Sequence, residues 1–200
     1  EKAKEVMRTD LQREVDTMNL FPGEEGDYLE QTELCENLLG HYHDAFKKED
    51  IEVIHPEVEF LVQLGDSPHE IMGRADGIAI WNGSLWTLEH KTAASFGKNS
   101  FKKFALDPQP STYIYGASKA LDIELKGVIP NILVKSKASR GVYRDYIPRT
   151  KTHINHWLLD TLKVVSDIER ADESGHYAMN GNACTRFGIC PYHMLCEALV

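Results

Sequence analysis

The stretch His69–Thr92 decides the fold, and it reads HEIMGRADGIAIWNGSLWTLEHKT. Its dipeptide Asn82-Gly83 is flanked by runs rich in Ile and Trp, which is the strongest short-range signal for a two-residue hairpin turn. Such a turn fixes the pairing of the strands on either side of it. We therefore predict a β-hairpin in which Trp81 pairs with Ser84.

This register brings three charged side chains together. Counting outward from the turn places Asp76 opposite Glu89, and because strand side chains alternate, Lys91 lies on the same face. Opposed residues have Cβ atoms only about 4.5 to 5.5 Å apart, so two like charges there repel. A divalent cation would offset the repulsion, since Mg²⁺ is bound through one or two carboxylates with water and phosphate. The trio fits metal-assisted phosphodiester hydrolysis, although motifs of this size also recur by chance on surface hairpins.

Composition and charge limit the class of protein. The chain has 200 residues, 42% hydrophobic and 26% charged, with a net charge of −9. No run approaches the roughly 18 apolar residues of a membrane span and no secretory signal is present, so we expect a cytoplasmic protein. Residues 1–70 hold 6 basic and 19 acidic side chains, whereas residues 91–151 hold 12 and 4. The basic segment could follow a phosphate backbone or form a solvated surface.

The rest of the chain alternates between helical and strand-like patterns. The predicted elements are helices over residues 1–18 and 28–48, a strand after Pro56, a helix from Pro108 to about Leu121, strands in GVIPNILV and GVYRDYIP, and a helix from Thr152 to about Arg170. Asp107 can cap the helix that begins at Pro108, and the i, i+4 spacing puts Gln109 and Tyr113 on one face of it. From Gly175 the sequence is loop-like.

Three ordered motifs resemble a known family. They are Gly73-Arg74-Ala75-Asp76, Glu89-His90-Lys91 and Gln109-Pro110-Ser111-Thr112-Tyr113. They resemble the GxxD, ExK and QxxxY motifs of the PD-(D/E)XK nuclease superfamily, in its RecB-like branch. The sequence segments EHKTAAS, DPQPSTYIYGA and GVIPNILVK are most similar to those of phage and prophage exonucleases. The resemblance runs from about Pro56 to the C-terminus.

The resemblance implies a fold and an activity. The fold would be α/β, with a central mixed sheet flanked by helices as in a restriction-endonuclease-like core. The domains would be a helical segment over residues 1–50, a nuclease core over 51–174 and a cysteine-bearing tail over 175–200 packed on the core. The activity would be that of a DNA exonuclease dependent on Mg²⁺ or Mn²⁺.

The resemblance also implies roles for single residues. Asp76 and Glu89 would bind the metal, with the backbone carbonyl of His90 as a third ligand. Lys91 would act at the attacking water. Gln109 and Tyr113 would contact the DNA backbone or brace the lysine.

Further residues are candidates for supporting roles. Glu57 matches an acid on the preceding strand and would support the site or bind metal, although Glu59 lies on the same strand face. Arg144 and Arg149 are candidates for phosphate contact because of their charge and basic surroundings. Ordinary strand-end arginines are the alternative for both.

Three cysteines lie in the tail, in CTRFGICPYHMLC: Cys184, Cys190 and Cys196. In a cytosolic chain this density suggests metal or cluster ligation more than disulfides. The resemblance implies a structural four-iron four-sulfur cluster, and zinc with His193 is the alternative. Cys35 is the obvious fourth cysteine, but a lone cysteine in a predicted helix is more often part of a core.

The family resemblance also implies an upstream cysteine and an active-site histidine, and neither pattern precedes Glu57. We therefore expect that the chain is a shortened form of a longer protein. DNA is the expected partner, together with a recombination or single-strand-annealing protein, in the cytoplasm of a bacterial host if the chain is phage-encoded. The rival functions are a CRISPR-associated or helicase-coupled nuclease and a non-catalytic iron–sulfur or zinc DNA-binding module.

Overall fold

The computed structural model describes residues 5–6, 8–10, 13, 24–136, 141–186 and 188–198, with residues 24–29 described for their backbone only. The chain divides into two compact units, Glu1–Leu158 and Leu159–Val200. Within the described part, none of the helices is both long and apolar enough to cross a membrane. The predicted helix over residues 1–18 lies mostly outside the described residues.

The first unit contains a sheet and most of the helices. Its elements are α1 (Glu24–Phe46), β1 (Ile51–Gln63), β2 (Glu70–Trp81), β3 (Ser84–Ala93), α2 (Lys102–Leu106), α3 (Pro108–Leu121), β4 (Leu125–Val134), β5 (Gly141–Arg144), β6 (Ile147–Pro148) and the start of α4 (Lys151–Ser174). The second unit holds the remainder of α4, a 3₁₀ turn at Gly181–Ala183 and a short helix, α5 (His193–Glu197).

The six-stranded sheet is mixed. Its order is β1-β2-β3-β4-β5, and β6 pairs with β4 beside β5. All pairs are antiparallel except β3 and β4, which run parallel. Parallel neighbours need a long crossover connection, and α2 with α3 supplies it. The α/β fold with a mixed sheet flanked by helices is therefore confirmed.

The hairpin forms as the sequence predicts. Asn82 and Gly83 have φ angles of +47° and +69°, which a type I′ turn requires and which favour these two residues. Trp81 pairs with Ser84, and the ladder continues inward to Gly77 and Leu88. The register of the central strands is thus set by a local signal.

Hydrophobic clusters cover both faces of the sheet. One contains Val58, Ala75 and Ile78 with Ile114 and Ala117 of α3. The other contains Ala79, Trp86, Leu88 and Ile129, against which Trp81 and Tyr146 pack. Because the adjacent residues Ile78 and Ala79 belong to different clusters, the clusters lie on opposite faces.

Candidate active site at the end of the hairpin

Asp76 lies one residue beyond the last pair of the β2–β3 ladder, which is Gly77 with Leu88. Its carboxylate accepts a hydrogen bond from the backbone N–H of His90, at 2.6 Å. One more step of the register would place Asp76 opposite Glu89, as predicted. Instead of continuing the ladder, the side chain is held against the strand segment that carries Glu89 and Lys91.

Glu89 is a buried carboxylate, with 1% of its surface exposed. Its Oε1 lies 2.5 Å from Lys91 Nζ, which confirms that the two side chains share a face. Its Oε2 is buried, and no group of the described residues donates a hydrogen bond to it. Because a buried carboxylate oxygen without a partner is costly, this atom is available to a ligand.

Helix α3 extends this pair into a chain of polar contacts. Lys91 Nζ donates to Gln109 Oε1 at 3.0 Å, and Gln109 Nε2 donates to the Tyr113 hydroxyl at 2.6 Å. Gln109 and Tyr113 are one helical turn apart and so face the same way. The chain Glu89–Lys91–Gln109–Tyr113 therefore forms from residues of two separate elements, and it contains the two predicted brace residues.

The protonation equilibria of the pair reflect burial and mutual contact. Burial raises the pKa of Glu89, against the lowering effect of Lys91 and with a smaller raising effect of Asp76 and Asp107. Burial acts to lower the pKa of Lys91, but the hydrogen bond and charge of Glu89 outweigh it and raise the pKa above its ordinary value. Lys91 therefore stays a cation at neutral pH and partly neutralises the acids around it.

Asp107 is a site residue that the sequence identified only as a helix cap. Its side chain accepts a hydrogen bond from the Gln109 backbone N–H at 2.9 Å, and so it starts α3 as predicted. Its charge also acts on Glu89 and raises the pKa of that carboxyl. The sequence shows that Asp107 can cap a helix, but it does not show that the start of this helix lies near Glu89.

The donor set fits a small divalent cation in part. In the described ranges, no three His, Cys, Asp or Glu side chains are arranged to hold a metal. Two carboxylates, Asp76 and Glu89, lie at the site, and Mg²⁺ commonly uses only one or two carboxylates together with water and phosphate. The buried Glu89 oxygen, which lacks a hydrogen-bond partner among the described residues, is the observation that fits a cation here.

The supporting acid Glu57 is exposed on β1 and has a φ angle of +47°. Its neighbours pair on either side of Asp76, Pro56 with Gly77 and Val58 with Ala75, so Glu57 is level with Asp76 across the strands. Its carboxylate lies 3.7 Å from the guanidinium of Arg74. Glu59 is exposed on the same strand, and the supporting role of Glu57 stays a prediction.

The two arginines predicted to contact phosphate have partners inside the protein. Arg144 forms an ion pair with Glu49 and donates to Asn131 and Tyr42. Arg149 donates to the carbonyls of three residues, Phe104, Ala105 and Asp107. Buried guanidinium groups with internal acceptors have few donors left for a ligand, so this placement favours the structural alternative for both arginines.

The tail cysteines are half-buried free thiols. The Cys190 N–H donates to the Cys184 carbonyl at 2.8 Å, which brings these two backbones together, while Cys196 lies on α5. Among the described residues these sulfurs form no three-ligand group, with or without His193, so a cluster stays a prediction. Cys35 is exposed on α1, and the expectation that it packs in a core is wrong.

Fold and site together define an α/β protein with an acid–lysine–glutamine–tyrosine site at the end of its central hairpin. No family model matches the chain, and no curated protein matches it. Among solved structures it is similar to a chain described as "Crystal structure of SSO0001", at 15% identity and a TM-score of 0.36; the match covers 82% of this chain and 87% of that chain. We therefore interpret the site from its own residues.

Proposed function

We propose that the chain is a metal-dependent deoxyribonuclease of the PD-(D/E)XK superfamily, in its RecB-like branch, that acts as a DNA exonuclease. The observation that carries the proposal is the polar chain from Glu89 through Lys91 and Gln109 to Tyr113. At its Glu89 end, Oε2 is buried and has no hydrogen-bond partner among the described residues. The three motifs that resemble the superfamily supply these four residues together with Asp76.

Each residue has a role in hydrolysis of a phosphodiester. Asp76 and Glu89 would hold one or two Mg²⁺ or Mn²⁺ ions, with the His90 carbonyl as a further ligand. When bound, such an ion lowers the pKa of a water molecule and polarises the phosphoryl oxygens. Lys91 donates hydrogen bonds to the attacking water and offsets negative charge as it develops. Gln109 fixes the lysine amine, and Tyr113 fixes the amide of Gln109.

We also propose the setting of the reaction. The substrate would be DNA, and the reaction would serve phage recombination, repair or processing. The partner would be a recombination or single-strand-annealing protein, and the compartment would be the cytoplasm. The tail cysteines Cys184, Cys190 and Cys196 would serve a structural iron–sulfur cluster and take no part in hydrolysis.

The test is cleavage of end-labelled single-stranded and duplex DNA, with Mg²⁺, with Mn²⁺ and with excess EDTA. We expect cleavage that requires the metal and that falls at least about 100-fold in Asp76→Ala and Lys91→Ala. Loss of one transition-state donor typically has this effect, and loss of a direct metal ligand should exceed the roughly 10- to 100-fold effect of an outer-shell partner. The control is Lys163→Ala, because Lys163 is exposed on α4 and pairs with Asp167 in the same helix. Full activity in Asp76→Ala or Lys91→Ala would defeat the assignment.

A further inference from the structure

Arg144 lies in a row of neighbouring residues that crosses strands β3, β4 and β5 and begins at His90, beside the candidate site. His90 of β3 is the neighbour of Asn131 of β4, and Asn131 is the neighbour of Arg144 of β5. The Arg144 side chain is only 5% exposed. A guanidinium removed from water to this extent must be held by acceptors within the protein.

Four groups around the guanidinium of Arg144 hold it. Its Nε donates to Asn131 Oδ1 at 2.5 Å, and one Nη donates to the Tyr42 hydroxyl at 2.5 Å. The other Nη pairs with Glu49, which follows α1, and the guanidinium lies 3.8 Å from the centre of the Phe46 ring. Arg144 thus joins the end of α1 to strands β4 and β5.

The same contacts lead to His90. The Tyr42 ring meets the His90 ring edge to face, with centroids 6.1 Å apart, and its hydroxyl is held by Arg144. Asn131, held by the Nε of Arg144, is the cross-strand neighbour of His90. The backbone N–H of His90 in turn holds the Asp76 carboxylate.

We propose that Arg144 is a positioning residue for the cation site: it fixes His90 through Tyr42 and Asn131, and His90 fixes Asp76. The inference rests on the proposed function, because it assigns Asp76 and the His90 carbonyl to a cation. Groups that orient metal ligands without touching the metal typically contribute 10- to 100-fold in metal affinity or activity. Lysine cannot replace Arg144, since an ammonium lacks the planar set of donors that reaches three acceptors at once.

The experiment is a calorimetric titration of the full chain with MnCl₂, followed by steady-state cleavage of DNA. In Arg144→Met, which keeps an apolar stem over Phe46, we expect the dissociation constant for Mn²⁺ to rise about 10- to 100-fold. We expect kcat at fixed Mn²⁺ to fall, and KM for DNA to change by less than about twofold, because the Arg144 side chain is only 5% exposed and is held by acceptors inside the protein. Arg170→Met is the matched control, since Arg170 is exposed on α4.

A second variant keeps the inference testable if Arg144→Met does not fold. Tyr42→Phe removes only the hydroxyl between Arg144 and His90, and we expect a smaller rise in the same dissociation constant. Wild-type Mn²⁺ affinity in a folded Arg144→Met, or in Tyr42→Phe where Arg144→Met is unfolded, would overturn the positioning role and leave the proposed function standing. Absence of Mn²⁺ binding and of cleavage in the wild-type protein would overturn both.

Discussion

Glu89 is buried, and Lys91 pairs with one of its carboxylate oxygens. The other oxygen has no hydrogen-bond partner in the part of the chain that the structure describes. A carboxylate in this environment costs folding free energy when it is ionised, since burial raises its pKa. We therefore infer that Glu89 contributes more to binding a cation than to the stability of the fold. Sites that bind metal or substrate commonly reduce stability in this way.

Glu89→Gln should therefore stabilise the metal-free protein at neutral pH while it abolishes cleavage. The ordinary pKa of this carboxyl is 4.5, and its pKa in the folded state is higher. The wild-type carboxyl therefore destabilises the fold as the pH rises above 4.5, and it has no such effect at lower pH. We expect the free energy of unfolding to rise by about 1 kcal/mol at pH 7 and to match the wild type near pH 4. Urea unfolding in EDTA at the two pH values measures this. A less stable Gln variant at pH 7 would contradict it.

Gln109→Ala tests whether the polar chain serves the lysine. The substitution removes one of the acceptors of Lys91, the other being Glu89, and the donor to Tyr113, but no proposed metal ligand. We expect kcat for DNA cleavage to fall about 10- to 100-fold with the Mn²⁺ dissociation constant unchanged. Thr112→Ala is the control on the same helix, because its hydroxyl donates to the Pro108 carbonyl within that helix. Equal loss in both variants would indicate a general effect on α3.

The sequence predicts the placement of single residues where that placement depends on nearby residues in the chain. The pairing of Trp81 with Ser84 and the shared face of Glu89 and Lys91 follow from turn chemistry and alternation. The internal acceptors of Arg144 and Arg149 lie 13 or more residues away along the chain, so no local pattern reveals them. A charge pattern in the sequence cannot distinguish an arginine that faces solvent from one that the fold surrounds with acceptors.

At the scale of elements, α3 is the helix that holds the brace residues over the sheet, and its approach depends on a small residue. A Cβ added to Gly116 would lie 2.2 Å from the Phe60 ring, which also contacts Tyr113 edge to face. Close packing of this kind sets the distance between the helix and β1. The position of Gln109 and Tyr113 therefore depends on packing one to two turns further along the helix.

Gly116→Ala should destabilise the protein by about 1 to 3 kcal/mol, because overpacking forces the Phe60 ring or the helix to move. We expect cleavage to fall as well, since α3 carries Gln109. Urea unfolding checks the first effect and the labelled-DNA assay the second. Gly97→Ala is the control, as no atom of the described residues lies within 4 Å of the added Cβ. An unchanged midpoint of unfolding in Gly116→Ala would contradict the packing argument.

The limits of the elements were predictable to different degrees. Helix α3 begins and ends as expected. Asp107 caps its start, and it ends at Leu121 because Asp122 takes a left-handed conformation. Strand β1 begins at Ile51, five residues before Pro56, and carries a bulge between Val53 and His55. Bulges arise from how a strand pairs with its neighbour, so the alternation of one strand does not reveal them.

At the scale of the whole molecule, a cation at Asp76 and Glu89 should stabilise the folded chain by mass action. At a Mn²⁺ concentration 100 times the dissociation constant the gain is about 2.7 kcal/mol. For a chain of this length that raises Tm by about 5 to 10 °C. We expect the shift in the wild type, little of it in Asp76→Asn, and its reversal by EDTA. An equal shift in both proteins would assign the effect to another site.

The most direct test of the cation site is a crystal structure of the full chain grown with MnCl₂, with anomalous diffraction recorded at the manganese edge. We predict an anomalous peak within about 2.5 Å of the carboxylate oxygens of Asp76 and Glu89, at octahedral distances and with Lys91 and Gln109 beside it. The peak should be absent from crystals of Glu89→Gln. Crystals that bind manganese only elsewhere, or not at all at saturating concentration, would contradict the assignment of these two carboxylates as metal ligands.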